Sequence, residues 1–352
     1  MSRFLIDKYK DLVPYTPGEQ PQDGKYIKLN TNESPYMPSQ SVIDFLSSEE
    51  AKALRLYSDP ECKKSTSAVA KYYGVENNQV IMVNGSDEVL AFIYMAFFDK
   101  DNDIYAPDIS YGFYPVYCKL CGLKYNAIPL KEDFTLDIEA FARAKGGVIF
   151  ANPNAPTGLA ISLKEIEYIV QNNKNLVIVD EAYVDFGAES AIPLVNKYDN
   201  LIITQTLSKS RSLAGARIGF AISNKDIIED LNKIKFSFNP YNVNRLSDMC
   251  AKLAFEDERT FKENTGKIQN TRAWLIKELR DLGFEVLDSK ANFIFVKPKG
   301  ITAKDYYFEL KKRRILIRYF SKERINEYVR ISIGTDTEVK ALVEETKDLI
   351  RQ

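Results

Sequence analysis

From residue 80 to residue 222, short runs of consecutive apolar residues alternate with longer segments whose apolar positions recur every three or four residues. The runs fall at 80–83, 103–106, 125–128, 147–151, 176–180, 200–204 and 218–222. Several carry no polar residue before their end, the pattern of strands covered on both faces. The segments between them, notably 86–98, 162–173 and 224–235, read as amphipathic helices. This alternation predicts an α/β domain with a doubly wound, mostly parallel sheet of seven strands.

The pattern then changes. After Asn239-Pro240 comes one long helical stretch at 243–282. Beyond Gly283, strands at 284–287, 292–296, 315–318 and 328–333 mix with helices at 303–313 and from 337 onward. That is a small α+β domain. The first 38 residues are rich in proline and glycine and predict an arm packed against it. The expected organisation is an arm (1–40), a large domain (41–240), a connecting helix (241–282) and a small domain (283–352).

Composition narrows the function classes. A net charge of −1 over 352 residues gives no bulk attraction to nucleic acid or anionic membrane. No apolar run reaches the length of a membrane span, and the N-terminus lacks a signal-peptide core, so a cytoplasmic protein is expected. The chain contains no histidine, which removes imidazole bases, histidine triads and mixed zinc sites. Cys118 and Cys121 form a C-x-x-C. With no second pair and no histidine, they read as helix thiols rather than a metal or redox site, and no metal is expected.

The candidate chemistry sits at strand ends. Asp180 closes the run Val177-Ile178-Val179, and Tyr183 follows three residues later. Lys209 stands between Ser208 and Ser210 after the strand at 200–204, with Thr206 before it and Arg217 after it. Asn84-Gly85-Ser86-Asp87-Glu88 leaves a strand and opens a helix, with Ser86 expected as its N-cap and the free amides there favouring an anion. Taken singly, Asp180 reads as a cap or an ion-pair partner, and Ser86 as an ordinary capped turn. Together they supply an amine, a carboxylate, a phenol, hydroxyls and a guanidinium. That set suits pyridoxal 5'-phosphate (PLP): the amine for the aldehyde, the carboxylate for the pyridinium nitrogen, the hydroxyls and guanidinium for the phosphate. Tyr111 is a candidate to stack on the ring. Neither a G-x-G-x-x-G nor a P-loop motif is present, which argues against dinucleotides and nucleoside triphosphates.

In this order the motifs resemble the fold-type I PLP-dependent aminotransferases over nearly the whole chain. The resemblance rests on Leu29-Asn30-Thr31-Asn32-Glu33, Tyr57-Ser58-Asp59-Pro60, the Gly85 turn, Asn152-Pro153-Asn154-Ala155-Pro156-Thr157-Gly158, Asp180-Glu181-Ala182-Tyr183, the lysine segment and Arg330-Ile331-Ser332-Ile333-Gly334. It implies that Lys209 carries the cofactor, Asp180 pairs with its ring nitrogen and Tyr183 with its ring hydroxyl. It implies that Gly85, Ser86, Asp87, Thr206, Ser208 and Arg217 surround the phosphate. Tyr57 would reach the partner subunit's phosphate in a homodimer with shared sites. Arg330 and Arg318 would grip the substrate's anionic group, with Tyr15 and Asn32 beside it. The substrates implied are a small amino donor and a 2-oxo acid.

One position departs from the family pattern. Where an asparagine usually stands before Pro-Thr-Gly to bond the ring oxygen, this chain has Ala155. Either Asn154 or Asn152 substitutes, or Tyr183 acts alone. Met37 is a second departure, where the family often has glycine in the arm.

Overall fold

The computed structural model describes residues 3–351, the side chains of residues 50 and 51 excepted. Along the chain come β1 (Ile27–Lys28), α1 (Gln40–Leu46), α2 (Lys63–Tyr73), β2 (Val80–Val83), α3 (Ser86–Phe97), β3 (Ile104–Pro107), α4 (Phe113–Cys121), β4 (Tyr125–Ile128), α5 (Ile138–Ala142), β5 (Gly147–Ala151), α6 (Leu163–Asn172), β6 (Val177–Asp180), β7 (Leu201–Thr206), β8 (Gly219–Ile222) and α7 (Lys225–Phe238). The second half adds α8 (Arg245–Glu256), α9 (Glu258–Asp281), β9 (Glu285–Val286), β10 (Phe293–Lys297), α10 (Ala303–Lys312), β11 (Ile315–Leu316), β12 (Arg318–Tyr319), β13 (Val329–Ser332) and α11 (Asp336–Ile350).

The seven expected strands form one sheet in the order β2-β8-β7-β6-β5-β3-β4. Pairings among β3 to β7 are parallel, and β8 alone runs the other way. Alternation along each strand sends successive side chains to opposite faces. Val177, Val179, Leu201 and Ile203 pack into a layer with α2, α6 and α8. Ile178, Ile202 and Ile149 pack into the opposite layer with α3, α4 and α7. Burial on both faces is why these strands read as continuous apolar runs. Local chemistry sets the helix ends: Ser162 and Glu165 close a capping box on α6, and Asn224 accepts from two backbone amides at the start of α7.

The small domain is a four-stranded antiparallel sheet, β12-β13-β10-β9, covered by α9, α10 and α11 around its own core. Arm strand β1 pairs in parallel with β11. Two expectations are corrected. The run at 315–318 is not one strand: β11 serves the arm, whereas β12 pairs with β13. The stretch at 243–282 is not one helix: it breaks at Asp257, whose carboxylate accepts from the amide of Thr260 at 3.0 Å. The two pieces serve different cores, since Cys250, Ala251 and Phe255 of α8 pack under the large sheet and Ile268, Leu275 and Leu279 of α9 pack in the small domain. Among the described residues, no helix is long and apolar enough to cross a membrane.

Candidate active site

Because only β8 is reversed, six strands of the large sheet present their carboxyl ends to one edge, and β8 presents its amino end there. That edge is where open α/β sheets bind ligands. It places Asp180 (end of β6), Thr206, Ser208 and Lys209 (after β7), Ser86 and Asp87 (after β2) and Arg217 (before β8) around one cavity of about 1120 Å³. The small domain and the arm close its other side with Arg330, Arg318, Phe320, Tyr15 and Asn32.

Asp180 sits on the strand face covered by α4, where the Tyr114 hydroxyl donates to it at 2.9 Å. Ala182 N–H donates to its other oxygen at 3.2 Å. Burial pushes its carboxyl up to about 6, against these donors. No cation among the described residues lies within ion-pair reach of it. Lys209 is half-buried, and among the described residues its Nζ donates only to the carbonyl of Thr31, at 3.4 Å. Burial, then the charge of Arg330, pulls its amine down to about 8. Tyr183 lies under that amine, with Nζ 5.9 Å from the ring centroid, and its hydroxyl accepts from Asn32 Nδ2 at 3.1 Å.

The turn after β2 is built for close approach. Gly85 has φ +83°, and a Cβ there would come within 2.8 Å of the Arg217 guanidinium. A Cβ at Gly219 would come within 2.6 Å of the Ser86 amide, so β8 lies directly against this turn. Gly85, not Ser86, occupies the N-cap of α3; Ser86 is the first helical residue, and Asn84 N–H donates to Glu88 at 2.7 Å. Thr206 Oγ1 and Ser208 Oγ are 3.0 Å apart, and Arg217 lies 3.5 Å from Asp87. Asp87 also accepts from the Tyr111 hydroxyl at 2.7 Å, which fixes that ring in the cavity wall.

Arg330 is the third group without a counter-charge. Its Nη2 donates to the carbonyl of Asn30 at 2.9 Å, and its buried Nε has no hydrogen-bond partner. Among the described residues, Arg318 donates only to the carbonyls of Thr16 and Pro17, both at 3.4 Å. Tyr15 stacks on Phe113 at 4.3 Å between centroids and so ties the arm to α4. An amine and two guanidiniums without carboxylate partners, a buried carboxylate without a cation, and an open helix N-terminus share one cavity. This donor set fits PLP plus a second anionic group.

Three expected residues stand elsewhere. Asn152 is spent on the backbone of Ile161, to which its side chain both donates and accepts. Asn154 accepts from Ser110 and donates to the carbonyl of Ile109 and to Thr157. Neither lines the cavity; both pin the loop that presents Ala155 to it. Tyr57 lies away from this chain's cavity, 79% exposed and stacked on Tyr241 at 4.6 Å. Tyr114 and Thr31 act at the site with no role assigned to them from the sequence. Tyr114 was findable, because even-numbered positions of β6 face the layer that α4 covers; Thr31 acts through its carbonyl, which carries no side-chain signal. The thiol of Cys118 lies buried in α4, with its pKa pushed up to about 12 by burial.

Residues 24–345 match the family described as aminotransferase class I and II. A protein of Brachyspira hyodysenteriae named histidinol-phosphate aminotransferase is 51% identical, covering 100% of both chains. One of the same name from Clostridium acetobutylicum is 49% identical over 99% of this chain and 100% of its own. The solved histidinol-phosphate aminotransferase of Sinorhizobium meliloti, in complex with pyridoxal-5'-phosphate, has a TM-score of 0.84 at 26% identity, covering 93% of this chain and 92% of that one. Likeness on this scale, from end to end, makes this chain a member of the class I and II aminotransferases.

Proposed function

We propose that the protein moves the amino group of L-histidinol phosphate to 2-oxoglutarate, using PLP, and so makes imidazole acetol phosphate and glutamate in histidine biosynthesis. The observation that carries this reading is the pair Arg330 and Arg318, free of carboxylates and facing the cavity that holds Lys209. A guanidinium grips a phosphate monoester or a carboxylate with the same fork of N–H groups, so one pair serves both substrates in turn.

When bound, PLP supplies an electrophilic carbon and an electron-withdrawing ring. The protein's residues do the rest. Lys209 tethers the cofactor, and its Nζ then takes the proton from the substrate's amine-bearing carbon and returns it during transfer. An amine near 8 can do both at neutral pH. Asp180 holds the ring nitrogen's proton, and Tyr183 donates to the ring oxygen. Ser86, Ser208, Thr206, Arg217 and the amides around Gly85 and Asp87 hold the cofactor phosphate, and Tyr111 covers the ring. Asn32 and Tyr15 border the substrate. A cytoplasmic homodimer completes the reading, with Tyr57 extending to the partner's phosphate.

The competing readings are an aromatic-amino-acid aminotransferase and a threonine-phosphate decarboxylase, which would use the same cofactor residues. Single-turnover absorbance of the PLP-loaded protein decides among them. Histidinol phosphate and glutamate are expected to shift the cofactor band and phenylalanine to leave it nearly unchanged. Reaction with phenylalanine but not histidinol phosphate, or carbon dioxide release from threonine phosphate, overturns the assignment.

A further inference from the structure

The ring-oxygen contact that Ala155 cannot make needs a source. Asn152 and Asn154 are excluded, since their side-chain amides are committed to the loop. Tyr183 remains, and its neighbour decides which way its proton points. A phenol has one proton to give and can also accept. Asn32 Nδ2 already donates to Tyr183 Oη at 3.1 Å. The phenol therefore accepts from Asn32 and keeps its own proton for another acceptor.

Asn32 is held in that orientation from three sides. Ser332 donates to Asn32 Oδ1 at 2.8 Å, which fixes which end of the amide faces Tyr183. The Asn32 amide N–H donates to Ser332 Oγ at 2.9 Å, and Asn292 donates to the Asn32 carbonyl at 3.0 Å. The backbone of Asn32 is left-handed, φ 55°, a conformation asparagine tolerates better than most residues. The segment is further pinned by Ser332 N–H donating to the carbonyl of Leu29 at 2.9 Å.

We propose that Asn32 is a positioning residue: by donating to Tyr183 it turns the tyrosine's own proton into the cavity, toward the cofactor's ring oxygen, and so offsets the missing asparagine at 155. The inference rests on the PLP reading above. The charged and titratable groups around the phenol are Arg330, Lys209, Asp180, Asp87 and Tyr15. None of them stands in the hydrogen bond between Asn32 and Tyr183.

The test is a pH titration of the bound cofactor's visible band, with cofactor affinity and thermal midpoint measured alongside. Asn32→Asp keeps the size, the tolerance of φ 55° and the acceptor for Ser332, but replaces the donor with an oxygen that draws the Tyr183 proton to itself. Its band is expected to titrate about one unit higher than wild type, the size of shift that one hydrogen bond to a charged form brings. Asn32→Gly removes the donor without backbone strain and should give a smaller shift in the same direction. Ala155→Asn introduced beside Asn32→Gly should lower the midpoint again. Unchanged titration in both single variants overturns the proposal, as does loss of thermal stability with no movement of the band. If Asn32→Asp does not fold, Asn32→Gly alone decides. A wild-type protein with no visible band would instead refute the cofactor reading on which the inference depends.

Discussion

At the scale of single residues, the site collects charges that lack their opposites. That makes its cost to the folded chain measurable. The ordinary lysine value of 10.5 falls to about 8 at Lys209. Below pH 8 the amine is charged in both folded and unfolded states, and the folded state bears the full desolvation. Between about 8 and 10.5 the unfolded chain binds more protons, so stability from this group rises with pH. In cofactor-free protein, Lys209→Met should therefore be more stable than wild type at pH 7.5, with the gap closing toward pH 10. Urea denaturation across that range checks it, and a constant gap would show that the amine stays charged. Arg330 gives a second test. Arg330→Lys keeps the charge but not the fork, and should raise KM for histidinol phosphate and 2-oxoglutarate by ~30-fold or more, with stability nearly unchanged. A normal KM for both would place the anion site elsewhere.

The same scale shows what could be read from residue types alone. Lys209, Asp180 and Arg217 stood out only as a set, because each alone reads as a cap, an ion-pair partner or a surface charge, and Arg330 came from the family resemblance; the structure gathers all four at one cavity. Asn152 and Asn154 misled for another reason. Asparagine side chains satisfy loop backbones as readily as ligands, and only coordinates separate the two. Asn32 was expected beside the substrate; its donation to Tyr183 depends on partners about 300 residues away, which no local pattern encodes.

At the scale of elements, double burial made the seven strands legible, since a run of consecutive apolar residues marks its own limits. The reversal of β8 left no such mark, because a strand buried on both faces reads the same in either direction. It nonetheless decides the site, as it brings Arg217 to the edge where the other strands end. The break between α8 and α9 was missed because both helices are amphipathic and no proline or glycine divides them. What divides them is Asp257, which caps α9 through the amide and hydroxyl of Thr260. Asp257→Ala should cost about 1 kcal/mol, read as a lower denaturation midpoint with no change in the cofactor spectrum. No loss of stability would mean that the two cores alone fix the break.

At the scale of the whole molecule, the cavity lies between two bodies joined by a buried apolar cluster, in which Ile109, Leu130 and Phe134 of one meet Phe295, Ile325 and Tyr328 of the other. Arg324 of the small domain donates to the Asp108 carboxylate and to the carbonyls of Leu130 and Lys131, while Lys322 donates to the carbonyl of Asp108. The arm crosses as well, paired to β11 at one point and stacked on α4 at another. On the outer surface, Tyr57 and Phe238 are 79% and 66% exposed, Tyr57 stacks on the exposed Tyr241, and Leu54 and Leu56 are exposed as well. Apolar side chains of this size left uncovered are what a subunit contact would bury. If Tyr57 serves the partner's site, Lys209→Ala and Tyr57→Ala chains should complement each other. In a hybrid dimer one site then carries both lesions and the other carries neither. Refolding the two variants together at limiting cofactor should restore up to about a quarter of wild-type activity for random pairing, from a mixture of nearly inactive parents. If Tyr57 acted within its own chain, both sites of every hybrid would carry a lesion, and mixing would restore nothing.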